Sequence, residues 1–328
     1  MPRTQSIVSP LTNNVQCDGI LALKDITYDT WSYAERIAWL QMVNETNFET
    51  HKKDIEIIVP GYFFGTYSDF DQFRRHLVSN SQYNKDVLYS RQLIMMKSPP
   101  GQIEAWRDCV LAQTNQPKIL CYVDKITPDG ATLNVSWKTA PGLEVLRDIH
   151  IYPGDNGIAH IGNAFDDGLD GNAHITLQRK NPTKEVRGFI SGKAGLHGDF
   201  SADFLWPVTP PPPDVSPISE TPVSVGDHKS DIEFSLPVSD KARILEVTLN
   251  AASSFESPGS HVQRLWFWGP GVELDTKETF VHEHLERTYT SLSSRFFVLP
   301  QQQVTLRGHL YNNGAWSRGL WFSGRLIT

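Results

Sequence analysis

Four consecutive prolines at positions 210–213 restrict the fold of this chain more than any other feature. Proline has a fixed φ angle and no backbone N–H, so the run excludes both a helix and a central strand. A run of this kind favours an extended polyproline II spacer. The sequence therefore predicts a proline-rich linker over residues 207–222, with folded parts of the chain on both sides of it.

Residues 23–116 show helical periodicity and are predicted to form a helical region, preceded by an N-terminal extension over residues 1–22. Apolar residues recur three and four positions apart in three segments, at 30–43, 67–78 and 98–112. Each segment has one narrow apolar stripe. We expect three amphipathic helices whose stripes pack on one another.

From residue 117 onward the apolar residues recur at every second position, which is typical of strands with one buried face. The clearest example follows the turn at 128–130, where Leu133, Val135 and Trp137 alternate with polar residues. The sequence predicts a first β-sandwich over residues 117–206 and a C-terminal β-sandwich over residues 223–328. The predicted fold is thus mainly β, with an N-terminal helical region and two β-sandwich domains joined by a proline-rich linker.

Composition excludes several classes of protein. The chain has 328 residues and a formal net charge of −7, so it lacks the basic surface that nucleic acid requires. No run of about 18 apolar residues is present, which excludes a conventional transmembrane helix, although contact with a membrane surface stays open. No signal peptide is visible near residue 1, so the location is unknown and the cytoplasm is the default expectation.

The three cysteines, Cys17, Cys109 and Cys121, are too few for a disulfide framework and lack the spacing of zinc ligands. We expect buried free thiols, as in a cytosolic protein. A bridge between Cys109 and Cys121 is the alternative, because these two residues are close in sequence.

One glycine-rich stretch carries oxygen ligands of the kind that calcium prefers. These residues are Asp166, Asp167, Asp170 and Asn172. Their spacing does not match the calcium loop of a helix-loop-helix site, and Asp, Asn and Gly are also the usual residues of turns. We therefore predict a structural turn and no cofactor, with a calcium site as the open alternative.

Motifs for catalysis are weak. His282 and His284 flank Glu283, but zinc proteases need two histidines one helical turn apart, so a polar strand or loop is the favoured interpretation. No Gly-x-Ser-x-Gly elbow and no phosphate-binding glycine loop is present. Enzymatic activity stays uncertain, and a non-enzymatic role is favoured.

The last two strands are predicted to form a hairpin around Asn313 and Gly314. A three-residue loop would place Leu306 opposite Leu320 and Leu310 opposite Trp316, which makes one face apolar. Trp316, Leu320 and Phe322 would then lie in the core. The predicted ligand-binding residues on the other face are Trp321, Arg307, His309, Tyr311 and Arg325.

These observations predict a modular recognition or assembly protein without catalytic activity. Its C-terminal β-sandwich would bind a glycan or a protein through an aromatic and basic face, because tryptophan offers a flat apolar surface next to polar donors. The alternatives are a membrane-active or toxin-like protein that uses the N-terminal helices, and a metal-assisted hydrolase. Oligomerisation stays open.

Overall fold

A computed structural model describes residues 15–22, 30–79, 86–113, 117–127, 129–139, 145–195, 198–219, 223–224, 229–255, 259–282, 287–312 and 315–327. The chain divides into two compact units. The N-terminal unit contains the described residues of Met1–Asp25, Ala34–His51 and Lys85–Pro211, and the C-terminal unit contains those of Ile26–Tyr33, Lys52–Asn84 and Pro212–Thr328. Both units therefore include residues from the region that the sequence predicts to be helical.

Six α-helices form in the described part of the chain. They are α1 (Val15–Asp18), α2 (Tyr33–Met42), α3 (Phe48–Ile58), α4 (Tyr67–Ser79), α5 (Val87–Met95) and α6 (Pro100–Ala112). The predictions of α2, α4 and α6 are confirmed, whereas α3 and α5 were not predicted. Helix α5 buries polar as well as apolar residues, including Ser90, Arg91 and Gln92, so it has no polar stripe for a periodicity search to find. Among the described helices, none is long and apolar enough to cross a membrane.

The N-terminal unit contains a β-sandwich of seven strands. They are β1 (Lys118–Asp124), β2 (Gly130–Lys138), β3 (Arg147–Tyr152), β4 (Gly157–His160), β5 (Gly171–Arg179), β6 (Val186–Lys193) and β7 (Asp199–Trp206). One sheet has the order β1-β2-β5-β4 and the other has the order β3-β6-β7. Strands β1 and β2 form the predicted hairpin, in which Asp124 pairs with Thr132. Leu133, Val135 and Trp137 lie in the core between the sheets, as their alternation predicts.

Two helices pack on β1. The side chain of Gln92 in α5 both donates to the carbonyl of Val123 and accepts from its N–H, with an N–O distance of 3.2 Å for the second bond. Gln92 therefore satisfies main-chain groups at the free edge of the sheet, where they would otherwise lack partners. In α6, Trp106 contacts Tyr122 edge to face, with ring centroids 5.9 Å apart. The stripe of α6 is thus buried on the sheet of the N-terminal unit, and α4 belongs to the C-terminal unit.

Cys17 and Cys109 form a disulfide, with Cα atoms 5.8 Å apart. The expectation of three free thiols is therefore wrong, and so is the alternative pair, because Cys121 is a buried free thiol. Beside the disulfide, Asp18 accepts from Arg91 Nε at 2.7 Å and from Arg91 Nη2 at 2.8 Å. The indole nitrogen of Trp106 donates to the same carboxylate at 3.0 Å. The pairing depends on helix packing across 92 residues of sequence, which cysteine spacing does not reveal.

The C-terminal unit contains a second β-sandwich. Its strands are β8 (Val215–Ser219), β9 (Val223–Ser224), β10 (Lys229–Leu236), β11 (Arg243–Phe255), β12 (Gly259–Gly269), β13 (Val272–His282), β14 (Arg287–Val298), β15 (Val304–Asn312) and β16 (Ala315–Ile327). The first sheet has the order β10-β15-β12-β13, and the second has the order β14-β11-β16-β8, with β9 paired to β16. A core of buried residues from both sheets lies between them, with Phe267, Phe296 and Phe322 among the largest.

The segment without regular secondary structure is shorter than the predicted linker. Residues 207–214 have no regular secondary structure, but β8 lies within the predicted range 207–222 and pairs with the end of β16. Strand β8 is the last strand in its sheet, and it includes Pro217, which is paired with Arg325. A proline is tolerated there because an edge strand has one side on which no N–H is needed.

Candidate functional site

Strands β15 and β16 do not form a hairpin. Strand β15 pairs with β10 and β12, whereas β16 pairs with β11, β8 and β9, so the chain passes from one sheet to the other between Asn312 and Ala315. The predicted hairpin register is therefore wrong. The predicted core-facing side of each strand is right for Leu306, Leu310, Leu320 and Phe322, which are fully buried between the sheets. The side chain of Trp316 lies outside the described residues.

The five predicted ligand-binding residues consequently fall into two groups. Arg307, His309 and Tyr311 lie on the outer face of the first sheet, and Trp321 and Arg325 lie on the outer face of the second. The core lies between these two faces. The five side chains therefore do not share one surface.

The aromatic side chains beside Arg307 and His309 come from β12 instead. In β12, Gln263, Leu265 and Phe267 point into the core and are fully buried. The alternating residues therefore point outward. We call this outer surface the tryptophan face, and define it by Arg264, Trp266 and Trp268 of β12 and Arg307, His309 and Tyr311 of β15.

Strand register arranges the tryptophan face in two rows that cross the four strands. In one row Asp231, His309, Trp266 and Asp275 are neighbours, and in the next row Glu233, Arg307, Trp268 and Glu273 are neighbours. Rows two residues apart are separated by about 7 Å, since a strand rises about 3.3 Å per residue. Each row thus places one tryptophan between an acidic residue and a basic or imidazole side chain.

Two ring contacts hold Trp266 in place, and an ion pair fixes one of the contacting side chains. The guanidinium carbon of Arg264 lies 4.5 Å from the centre of the Trp266 ring, and the ring of His309 lies 5.0 Å from it at an angle of 52°. Arg264 Nε also donates to Asp275 Oδ1 at 2.9 Å. This hydrogen bond raises the pKa of Arg264 and lowers the pKa of Asp275, so both groups stay charged at neutral pH. These contacts fix the position of the Trp266 ring, and Trp268 is the next outward-pointing ring along β12.

The basic residues of β15 are paired with acids of β10. His309 Nδ1 lies 2.6 Å from Asp231 Oδ1, and Arg307 Nε donates to Glu233 Oε2 at 3.2 Å. The rows of Trp266 and Trp268 hold four carboxylates and one guanidinium group, whereas the next row contains Lys229, Tyr311, Arg264 and Lys277. The surface beside the two tryptophans is consequently not basic, in contrast to the sequence-based expectation, which considered β15 and β16 without β10 and β13.

Trp321 and Arg325 lie in different surroundings on the second sheet. Trp321 is opposite Asn250, whose side chain donates to Ser323 Oγ at 2.8 Å. Arg325 pairs with Glu246, which also accepts from Arg295 Nε at 3.0 Å. Around Arg325 the surface is a shallow depression lined by the hydroxyl groups of Thr248, Ser293 and Ser294 and by the ion-paired carboxylate of Glu246.

The calcium candidates are dispersed. Asp166, Asp167 and Asp170 are exposed around the turn that precedes β5, whereas Asn172 lies on β5 and accepts from Ser136 Oγ at 2.6 Å. In the part of the chain that the structure describes, no three His, Cys, Asp or Glu side chains are grouped as metal ligands. Glu283 and His284, and the side chain of His282, lie outside the described residues.

No protein-family model matches this chain. No curated protein matches it significantly. Among solved structures, the secreted serine protease VesC from Vibrio cholerae is similar, with 9% identity and a TM-score of 0.24, over 69% of this chain and 53% of VesC. The chain therefore spans about half the length of VesC.

Two further structures are similar to a comparable degree. The mosquito-larvicidal Cry4Aa toxin from Bacillus thuringiensis matches with 11% identity and a TM-score of 0.22, over 86% of this chain and 68% of the toxin. The structure of infectious bursal disease virus Gx strain matches with 11% identity and a TM-score of 0.18, over 65% of this chain and 59% of the viral chain. At such TM-scores these similarities carry no argument about fold or function.

Proposed function

We propose that this chain is a non-enzymatic recognition protein that binds a neutral glycan through the tryptophan face of its C-terminal β-sandwich. The observation that carries the proposal is the pair of outward tryptophans, Trp266 and Trp268, on adjacent rows of the first sheet. An indole ring offers a large apolar surface at low cost in conformational entropy, together with an N–H donor at its edge. A sugar ring has a complementary face of C–H groups.

The charges around the tryptophans support a neutral glycan as the ligand. In the rows of Trp266 and Trp268 the carboxylates of Asp231, Glu233, Glu273 and Asp275 outnumber the one arginine, Arg307, so a sulfated or sialylated chain would be repelled there. Sugar hydroxyl groups, in contrast, donate to carboxylates and accept from guanidinium groups. The charged side chains around Trp268 would therefore bind the hydroxyl groups of the sugar, while the indole of Trp268 stacks on the sugar ring.

The test is binding of the full chain to an array of neutral, sulfated and sialylated glycans, followed by calorimetry with the best ligand. We expect a neutral glycan to bind, and Trp268→Ala to weaken that binding at least tenfold. Trp321→Ala is the matched control, because it removes a tryptophan from the other outer face and should leave affinity unchanged. Circular dichroism and thermal melting would establish that both variants are folded.

Three results would contradict the proposal. The first is an array on which no neutral glycan binds, and the second is selective binding of anionic glycans. The third is loss of binding in Trp321→Ala with full binding in Trp268→Ala, which would place the binding site on the outer face of the second sheet. Capture of a protein partner that depends on Trp268, with no glycan bound, would replace the glycan by a protein ligand.

A further inference from the structure

The depression around Arg325 lies on the outer face of the second sheet of the C-terminal unit, and its volume is about 620 Å³. Described residues of β11, β14 and β16 line it. Proteins bind small molecules in concave sites of roughly 300–1,000 Å³, and the depression falls within this range. The core of the sandwich lies between this face and the tryptophan face, so the two surfaces are separate.

The depression begins where the covering of the second sheet ends. Phe297, Ile244 and Ile327 form a row across β14, β11 and β16 and point to the outer face, yet all three are buried. The chain after α3 and helix α4 cover this row, because the N–H of Phe297 donates to the carbonyl of Pro60 at 2.8 Å and Phe73 contacts the Phe297 ring. The next row of outward residues is therefore the first one at the surface.

This first surface row carries two guanidinium groups and one carboxylate. Glu246 lies between Arg295 of β14 and Arg325 of β16. Arg295 Nε donates to Glu246 Oε1 at 3.0 Å, and Arg325 Nε donates to Glu246 Oε2. The exposed fraction of each arginine side chain is 40%, whereas that of Glu246 is 20%. The row thus has a net charge of +1 and exposes more arginine than glutamate surface.

The row beside it carries hydroxyl groups. Ser293, Thr248 and Ser323 are neighbours across the same three strands. Thr248 Oγ1 lies 2.9 Å from Ser293 Oγ, and Ser323 Oγ accepts from Asn250 Nδ2 at 2.8 Å. A hydroxyl group can donate one hydrogen bond and accept two, so each of these groups can form further hydrogen bonds. The row can therefore bind both donors and acceptors of a ligand.

Together the two rows favour a ligand that combines one negative charge with hydroxyl groups. Guanidinium groups form strong, charge-assisted hydrogen bonds with carboxylates and phosphates. A net charge of +1 matches one carboxylate better than a phosphate monoester, whose charge at pH 7 is about −1.5 to −2. The two rows are about 7 Å apart, a distance that a sugar ring and its carboxyl group can span. Trp321 lies in the following row, where its ring can contact the apolar face of a sugar.

We infer that the depression is a binding site for an acidic saccharide with a single carboxylate, such as a hexuronic acid or a sialic acid. The carboxylate would contact the exposed sides of Arg295 and Arg325. The ring hydroxyl groups would bind Thr248 and Ser293. This site takes a charged ligand on the opposite face from the neutral glycan of the tryptophan face, so it does not depend on the proposed function.

The test uses the full chain carrying Trp268→Ala, so that the tryptophan face does not contribute. Glucuronic acid, galacturonic acid and N-acetylneuraminic acid are titrated and followed by saturation-transfer NMR and calorimetry. We expect at least one of them to bind with a dissociation constant below about 10 mM, which is weak binding of a small ligand. Raising the salt concentration from about 0.01 M to about 1 M should weaken this binding several-fold, because salt screens exposed charges.

Three comparison probes separate the charge from the hydroxyl groups. Glucose has the hydroxyl groups of glucuronic acid without the carboxylate, and acetate has a carboxylate without hydroxyl groups. Glucose 6-phosphate places a more highly charged anion on the same ring. Each of the three should bind at least tenfold more weakly than the best acidic saccharide.

Three variants locate the binding. Arg295→Gln and Arg325→Gln each remove one cation and should weaken the binding at least tenfold. Ser293→Asp should have a similar effect, because it adds a carboxylate to the depression, and it carries little risk to folding because Ser293 is exposed. Lys241→Gln is the matched control, since it removes one positive charge from an exposed side chain outside the depression and should leave the affinity unchanged. Thermal melting would establish that the variants are folded.

Each result decides the inference. Binding of an acidic saccharide that Ser293→Asp and the arginine variants weaken, and that Lys241→Gln does not, would support it. Absence of binding by all three acidic saccharides would overturn it, and so would equal binding of glucose or acetate. Tighter binding of glucose 6-phosphate would also overturn it and would assign the depression to phosphorylated ligands. Binding that Ser293→Asp leaves unchanged would place the ligand elsewhere. Because Trp268 is absent from this protein, none of these results bears on the proposed function.

Discussion

The Cys17–Cys109 disulfide should contribute a large part of the stability of the N-terminal unit. It closes a loop across 92 residues of sequence, and the chain-entropy relation gives about 4.6 kcal/mol for a loop of that length at 25 °C. A Cys17→Ala, Cys109→Ala double variant, or the reduced wild-type protein, should lose an amount of this order. With a urea dependence of about 2 kcal/mol per molar, the unfolding midpoint would fall by about 2 M.

Two assays test this prediction: one establishes the disulfide and the other measures the stability of the N-terminal unit. Thiol titration in denaturant without reductant should find one free thiol per chain, Cys121, and titration after reduction should find three. Pulsed hydrogen exchange across a urea series, read from peptides of α6, reports unfolding of the N-terminal unit separately from the other unit. Cys121→Ala is the control, because it removes a cysteine but keeps the loop closed. Three free thiols in the unreduced protein, or equal midpoints for the oxidised and reduced forms, would refute the reasoning.

Three further predictions test the packing inside each unit. Asp18→Asn should destabilise the N-terminal unit by about 3–5 kcal/mol in urea unfolding, because it leaves the buried guanidinium of Arg91 without its carboxylate; an unchanged midpoint would contradict the buried pair. Phe322→Ala should cost about 3–5 kcal/mol in the C-terminal unit, because its fully buried ring contacts Phe267, and a cost below 1 kcal/mol would mean that the ring is not in the core. Burial raises the pKa of Cys121, so the stability from its protonated thiol is complete below the unfolded pKa of about 8.5 and is lost progressively above it. Thiol labelling of the native protein at pH 8 should therefore be slow, and rapid labelling would contradict this burial.

Strand parity was predictable from the sequence, but the partner of each strand was not. The alternation of Leu320 and Phe322 with polar residues correctly identifies the buried side of β16, because parity depends only on which residues avoid water. The same alternation is satisfied whether β15 is its hydrogen-bonded neighbour or lies in the facing sheet. The short loop favoured a hairpin, yet the chain crosses the sandwich there. That difference moves Trp321 away from His309 and brings Trp266 next to it.

The burial of the second face of the β1-β2-β5-β4 sheet was not predicted for a related reason. Asn134 and Tyr122 have the outward parity of a solvent-exposed sheet face, and the alternation of β1 and β2 indicates only one buried side. Both residues are nevertheless buried, because helices cover that face as well. Helix α5, which packs on β1, could not be recognised from an apolar stripe, since it is buried on nearly all sides. No local signal in the sequence therefore predicts that helices cover this face.

The central claim, that ligand binding takes place at the tryptophan face of β12 and β15, is tested most directly by fluorine NMR. The full chain is labelled with 5-fluorotryptophan, and the signals of Trp266, Trp268 and Trp321 are assigned by single Trp→Phe substitutions. On addition of the neutral glycan that binds best, we expect the Trp268 signal to shift most, the Trp266 signal to shift less and the Trp321 signal to stay unchanged. A shift confined to Trp321, with Trp266 and Trp268 unaffected, would contradict the account.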